Sequence, residues 1–411
     1  MRVHHERCCG IDVHKRSVTA CLLWGPAGQE PHCEIRRFGT MTADLRALAA
    51  GLTGAGCELA AMESIGSYWK PVWNILEGHV PLLLANAKHV RALPGEKTDR
   101  KDGQRLASLL RHGLVRASFV PPRDIRDLRD LTRYRKKLLG NGTAERNRIQ
   151  KILEDANIKL GSVLSDVFGA SGQRLLQALL AGECLDHEAV AQLSHWRLTP
   201  KVAQIERALD GHVTDHHRFV IECCLDHMRY LERQIEKLDD RIAAALTRYA
   251  EAYARLQTIP GLAKLGAATV LAEIGPDMAV FDDADHLASW AGLCPGNNES
   301  AGKRFSGKTR KGNPFLRAAL VDCAWGATRK KHAQFRAAYY RIKARRGAKR
   351  AVVAVAHDLL RVAYVVLQTG EPYTEPAPPQ LPDRTRHRKA SQLARRLRQL
   401  GYEITMRPTA A

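Results

Sequence analysis

Between residues 7 and 113 the apolar residues fall in an order that few folds accept. Three short apolar or alternating runs, 7–14, 17–24 and 33–40, are joined by tight polar turns, as in an antiparallel meander. The spacing then predicts a helix over 42–52, a strand over 57–64, a helix over 67–77, a strand over 80–86 and a helix over about 96–113. Single acids interrupt this pattern where a buried strand should end. Asp12 sits in Gly10-Ile11-Asp12-Val13-His14-Lys15, and Glu63 closes Leu59-Ala60-Ala61-Met62. Such a carboxylate is costly unless something cationic meets it. Asp99 and Asp102, three residues apart, share one helix face. Leu106, Leu109 and Leu110 continue the face of Asp102 at +4, +7 and +8, so that face looks toward the sheet.

Three hairpin strands followed by α-β-α-β-α is the order of a ribonuclease-H-like domain, not of a doubly wound nucleotide fold. In that order Asp12 lies on the first strand, Glu63 ends the fourth, and Asp99 and Asp102 open the last helix. Four converging acids suit two hard divalent ions, Mg²⁺ or Mn²⁺, which favour oxygen ligands and can clamp a phosphodiester. Taken singly, each acid could equally be an ordinary turn or surface residue.

Charge names the class of partner. The chain carries 64 Lys+Arg against 43 Asp+Glu, a net +21, which points to a polyanion and most simply to nucleic acid. A membrane partner is not expected: no run of about 18 apolar residues occurs, and Met1–Arg7 lacks the apolar core of a signal peptide. The ten cysteines contain no C-x-x-C and read as reduced thiols of a cytosol. His216, His217, Cys223, Cys224 and His227 have no second ligand pair at zinc spacing.

Beyond Pro121-Pro122 runs a basic helical stretch whose Arg126, Arg129, Arg133, Lys136, Lys137 and Arg146 are expected to face phosphate, with a break or kink at Asn141-Gly142. A mostly helical connector follows over 156–215. From 221 to 249 a heptad is clear: Ile221, Cys224, Met228, Leu231, Ile235, Leu238, Ile242, Ala245 and Tyr249 form a seam about 43 Å long. It serves either self-association or packing against the basic helix at 123–153. Thr258–Gly266 resembles a helix-hairpin-helix whose Gly261 turn offers amides to a phosphate; a plain helix-turn-helix packing unit is the alternative.

The loop 291–314 contains Ser300 among Lys303, Arg304, Lys308, Arg310 and Lys311. Gly302 to Thr309 satisfies G-x-x-x-x-G-K-[ST], but polar residues precede it and Gly312-Asn313-Pro314 follows, the wrong context for a phosphate-binding loop. The cations would neutralise a phosphate under serine attack. On residue chemistry alone this could as well be an anion-binding loop. A final helical region spans about 333–369 and includes Arg345-Arg346-Gly347-Ala348-Lys349-Arg350. A Pro-rich basic tail then carries a short helix at 388–400.

In combination, Gly10–Lys15, Met62-Glu63-Ser64, Lys97–Asp102, Ile259-Pro260-Gly261, Ser300-Ala301-Gly302-Lys303 and Lys311–Arg317 resemble the transposases of the IS-one-ten insertion-sequence family, the bridge-RNA-guided serine recombinases. The resemblance covers about residues 8–370. It implies an α/β RuvC-like DEDD domain with the basic helix (1–155) and a helical connector with a coiled coil (156–252). A mostly α serine transposase domain (253–370), with a helix-hairpin-helix-like element, and a basic Pro-rich tail (371–411) would follow. It further implies that Asp12, Glu63, Asp99 and Asp102 bind magnesium and that Ser300 is the nucleophile of a phosphoserine intermediate. Gly261, Lys303, Arg304, Lys308, Lys311 and Arg317 would lie against nucleic acid. The implied partners are target and donor DNA, a structured bridge RNA, and further copies in a tetramer, in a bacterial cytoplasm at the nucleoid. Ala301 stands where many relatives have glycine, and Ser306 is a second serine six residues on.

Overall fold

The computed structural model describes residues 2–64, 66–86, 99–296, 298–300, 303–306, 308–309, 311–330, 334–376 and 383–405. It divides into two compact units, Met1–Pro122 and Arg123–Ala411.

The first unit follows the order read from sequence. Strands β1 (Arg7–Val13), β2 (Val18–Trp24) and β3 (His32–Phe38) precede α1 (Thr42–Gly54), β4 (Leu59–Glu63), α2 (Trp69–Leu76), β5 (Leu82–Ala85) and α3 (Asp99–Arg111). The sheet order is β3-β2-β1-β4-β5, with β1–β2–β3 antiparallel and β1–β4–β5 parallel, which is a ribonuclease-H-like arrangement. Because side chains alternate across a strand, the adjacent Cys8 and Cys9 face opposite layers. Cys9, Ile11 and Met62 pack under α1 and α2 with Leu45, Leu48, Val72 and Leu76. Cys8, Cys21 and Ala61 pack under α3 with Leu106, Ala107 and Leu110. Burial pushes the Cys8 thiol up to about 12, and all ten cysteines are free.

Gly10 decides how near α3 can come. A Cβ there would lie 2.1 Å from the Gly103 carbonyl oxygen and 2.5 Å from the Ala107 nitrogen. Backbone therefore meets backbone at this crossing, which only glycine permits.

The second unit is built on a helical hairpin. Helix α4 (Arg123–Asp155) is joined to α9 (Asp215–Leu246) through α5 (Leu160–Val163), α6 (Ala170–Ala181), α7 (His187–Leu193) and α8 (Val202–Leu209). Four pairings fix an antiparallel register: Asp155–His217, Glu145–His227, Arg135–Asp239 and Asp124–Tyr249. The heptad residues Ile221, Cys224, Met228, Leu231 and Ile242 are buried, as are Ile125, Leu128, Leu138, Ile149 and Leu153 of α4. Ile235, Leu238 and Ala245 are half-buried, so most of the seam packs within the chain on the basic helix, the packing alternative. The expected break at Asn141-Gly142 is also absent, since α4 runs unbroken past Gly140 and Gly142. Each glycine costs about 1 kcal/mol against alanine, and the long contact with α9 outweighs that cost. The basic helix packs within the second unit.

The chain continues through α10 (Ala250–Gln257), α11 (Lys264–Ile274), α12 (Ala284–Trp290), the hairpin β6 (Asn298–Ser300) and β7 (Lys303–Ser306), α13 (Pro314–Arg329), α14 (Gln334–Arg346), α15 (Ala348–Thr369) and α16 (Asp383–Gln399). Among the described residues α15 alone is long and apolar enough to cross a membrane, yet half of its apolar stretch is buried inside the unit. It carries Arg361 paired to Asp285 at 3.0 Å, as a core helix of a globular unit can.

Candidate active site

In the first unit, register brings the acids together. Ile11 of β1 pairs with Met62 of the parallel β4, so Asp12 and Glu63 follow side by side at the strand ends. Alternation from Gly10 and Ala61 puts both on the face covered by α3. A Cβ on Gly103 would lie 3.4 Å from the Gly10 carbonyl oxygen and 3.6 Å from that of Thr19, the partner of Asp12 across β1–β2. The first turn of α3, holding Asp99 and Asp102, therefore begins over the end of β1. Asp102 is exposed at that rim. Asp12 Oδ2 meets His14 Nε2 at 2.8 Å, with Asp12 largely buried, so the His14 ring is a polar partner for a carboxylate that its position makes costly to leave unmet.

The donor set fits a hard divalent ion: carboxylate oxygens from two neighbouring strand ends and a helix start, with no thiolate at the rim. Among the described residues no three His, Cys, Asp or Glu side chains close on one point, and the side chain of Asp99 lies outside the described residues. Two of the three histidines considered for zinc have other partners: His217 caps α9 with Thr214 and reaches Asp155, and His227 reaches Glu145.

In the second unit, Ser300 ends β6 directly across from Lys303, while Glu299 faces Arg304 and Asn298 faces Ser306. Ser300 thus lies at the turn of the hairpin and Ser306 at its base. The phosphate-loop match dissolves in this setting, because Lys303–Ser306 inside it is a strand. Side chains at Ser300, Lys303 and Arg304 lie outside the described residues.

The base of the hairpin is pinned. Gly296 N donates to the Lys308 carbonyl at 2.9 Å, and Pro295 bridges Thr309. Gly312 lies so close to Ala291-Gly292 that a Cβ would approach within 2.3 Å. Asn313 caps α13, accepting from the amides of Phe315 and Leu316 at 3.1 and 3.2 Å, with Pro314 in the first turn. Its Nδ2 donates to Glu273 Oε2 at 2.6 Å. Arg317 leans toward the Gly292 carbonyl at 3.5 Å. Lys308 and Lys311 are exposed.

Glu273 overturns part of the expected phosphate face. It is fully buried on the otherwise apolar α11. Arg133 grips it with two bonds, Nε–Oε1 at 2.7 Å and Nη2–Oε2 at 2.8 Å. Arg129 lies 3.5 Å from Oε2 and donates to the carbonyls of Ala272 and Glu273. Burial draws the Arg129 guanidinium down to about 10, against the pull of Glu273, so it stays charged at neutral pH. These two arginines are internal ties. Lys136 pairs with Asp322 at 3.1 Å and Arg146 lies over the Phe168 ring, while Lys137 is exposed and Arg126 half-buried. Gly261 has φ +89°, and a Cβ there would lie 2.3 Å from the Cys323 carbonyl, so this turn serves close packing on α13. The one signal for Glu273 in the sequence is an acid alone in Ala267–Ile274.

A family model described as a transposase of the DEDD, IS110 type matches residues 9–158, and one described as the transposase IS116/IS110/IS902 family matches residues 253–340. A transposase for insertion sequence element IS1111A of Coxiella burnetii is 23% identical over 375 residues, covering 89% of this chain and 90% of that protein. The protein y4pF/y4sB of Sinorhizobium fredii is 28% identical over 331 residues, or 77% and 74% of the two chains. A pilin gene-inverting protein of Moraxella bovis is 29% identical over 154 residues, 36% of this chain and 48% of its own.

Proposed function

Because the chain belongs to the IS110, or IS-one-ten, family of insertion-sequence transposases, we propose that it cuts and rejoins DNA by serine chemistry assisted by its carboxylate domain. The observation that carries this reading is the β1–β4 register, which sets Asp12 beside Glu63 under a helix that opens on Asp99 and Asp102. Mg²⁺ or Mn²⁺ held by these four acids would supply charge neutralisation at a phosphodiester.

Ser300 is the proposed nucleophile. Its Oγ–P bond forms as a P–O bond to deoxyribose breaks; the serine proton passes to a base and the leaving sugar oxygen takes one up. A second sugar hydroxyl then reverses the exchange. One phosphodiester replaces another, so no nucleotide triphosphate is consumed. The position of Ser300 at the hairpin turn, across from Lys303, supports it over Ser306 at the base. A relative named for gene inversion supports exchange rather than simple cutting. Target and donor DNA, a structured bridge RNA, a tetrameric assembly and the four-part division at 155, 252 and 370 belong to the same proposal.

The test is adduct trapping. Ser300→Ala should keep folding and DNA binding but lose recombination and the protein–DNA adduct, while Ser306→Ala should retain the adduct. An adduct mapped to Ser306 would place the chemistry on the wrong serine here. Metal-dependent cleavage with no adduct at all would favour a junction-resolving nuclease of RuvC type, for which the DEDD domain suffices.

A further inference from the structure

We infer that the outer face of α14 is a stacking site for unpaired bases, with the α14–α15 turn holding the adjoining phosphates. Arg336, Tyr340 and Lys343 recur at i, i+4 and i+7 and so share one helix face. Arg336 lies 5.4 Å from the Tyr340 ring centroid, and Lys343 lies 5.7 Å from the rings of both Tyr340 and Tyr339. Tyr339 meets Tyr340 edge-on at 5.3 Å and Trp325 of α13 at 5.7 Å. The outer rings are open, Tyr340 at 51% and Trp325 at 40% exposure. Tyr339 is buried and anchors the cluster, while Tyr340 and Trp325 present ring surface beside cations to solvent.

The charge around it is unbalanced. From residue 334 to 350 there are seven Lys and Arg and no acid. Among the described residues, neither Lys343 nor any of Arg345, Arg346, Lys349 and Arg350 makes an ion pair. Arg345 and Arg346 sit well at the C-terminus of α14, but Lys349 and Arg350 occupy the first turn of α15, where the helix dipole repels cations and no acid relieves them. Gly347, at φ +80°, turns the chain so that the two pairs flank one corner. Exposed rings interleaved with cations fit single-stranded nucleic acid, whose bases stack and whose phosphates track the cations. A duplex hides its base faces and can use only the charge.

This inference adds to the transposase reading and is read out by binding alone, in EDTA, so failure of the cleavage chemistry would leave it untouched. The probes are fluorescent 15-mers of uridine and of thymidine and a mixed-sequence 15-base-pair DNA duplex, titrated against the full chain. Tyr340→Ala should weaken both single strands at least about fivefold, the low end for one stacked base, with the duplex changed less than about twofold. Tyr340→Phe should bind like the parent, since its ring is kept. Arg345→Gln with Arg346→Gln should make the salt slope for single strands shallower by about 1.4. A greater loss for uridine than for thymidine would assign the site to RNA, and an equal loss to either strand. Unchanged single-strand affinity in Tyr340→Ala, an equal loss for the duplex, failure of Tyr340→Phe to retain affinity, or an unchanged salt slope would overturn the inference.

Discussion

Removing the Glu273 carboxylate should loosen the second unit by about 3 kcal/mol. Breaking a buried ion pair from one side costs about 3–5 kcal/mol, because the remaining charge has lost its partner in a poorly solvated place. Two guanidinium groups are at stake here, Arg133 bonded at 2.7 and 2.8 Å and Arg129 in ion-pair contact at 3.5 Å. The low end of the range applies, because Arg129 keeps two backbone carbonyls at 3.1 and 2.7 Å and Arg133 keeps the Phe315 ring at 4.4 Å. At about 2–4 °C per kcal/mol for a large domain, Glu273→Ala should lower the melting temperature by about 6–12 °C. Asn313, which caps α13 and closes the serine loop, loses its 2.6 Å acceptor in the same change, so adduct formation at Ser300 should fall as well. Urea unfolding of Glu273→Ala, Arg133→Ala and the double variant supplies the cycle, with an expected coupling of about 1.5 kcal/mol or more. Additive single-variant losses, or a melting shift below about 2 °C, would refute the reasoning. Replacing Glu273, Arg129 and Arg133 together by Met, Met and Leu should recover much of the stability, because no buried charge is then stranded.

Two further outcomes follow from the hairpin and the sheet. The Asp124–Tyr249 pair should give the second unit a stability plateau bounded on both sides. Burial, then the bond to Asp124, raises the Tyr249 phenol to about 12, above its ordinary value of about 10, so its contribution is whole below about pH 10 and is lost between there and about 12. Burial alone would raise the Asp124 carboxyl, but Tyr249, the Ile125 amide and Arg248 together hold it below its usual range, so its contribution is present above about pH 4 and fades on acidification. In thermal melts the parent should therefore exceed Tyr249→Phe by a constant margin between about pH 4 and 10, with the margin shrinking beyond; a margin that persists unchanged at pH 11.5 would contradict this. Gly10→Ala should destabilise the first unit by about 1–3 kcal/mol or more, since its Cβ would lie 2.1 Å from the Gly103 oxygen; it should also abolish metal-dependent cleavage by shifting α3 away from Asp12. A Gly10→Ala protein with parental melting and cleavage would disprove that role.

The first unit was legible because its information is local. Strand period, turn composition and the positions of Asp12, Glu63, Asp99 and Asp102 along the chain fix which strand ends and which helix start carry acids, and the right-handed parallel crossovers leave little choice of sheet order. For Ser300 the sequence shows a hydroxyl among cations and nothing more, and the hairpin register adds its place at the turn, apart from Ser306. The heptad was equally plain, but not what covers it, since a seam of Ile221, Met228 and Leu231 suits a second copy and a neighbouring helix alike. The helical partner was tertiary: α4 lies antiparallel along α9 and buries Ile221, Met228 and Leu231, carrying an unbroken helix over Gly140 and Gly142. The same holds for charge. Composition counts arginines without saying which anion satisfies them, and Arg133 meets Glu273 across 140 residues of chain. Only the packing of α11 against α4 reveals that these cations are held inside. The unbalanced cations lie instead at the α14–α15 turn, because a buried carboxylate binds the arginine it can reach and leaves the rest to solvent.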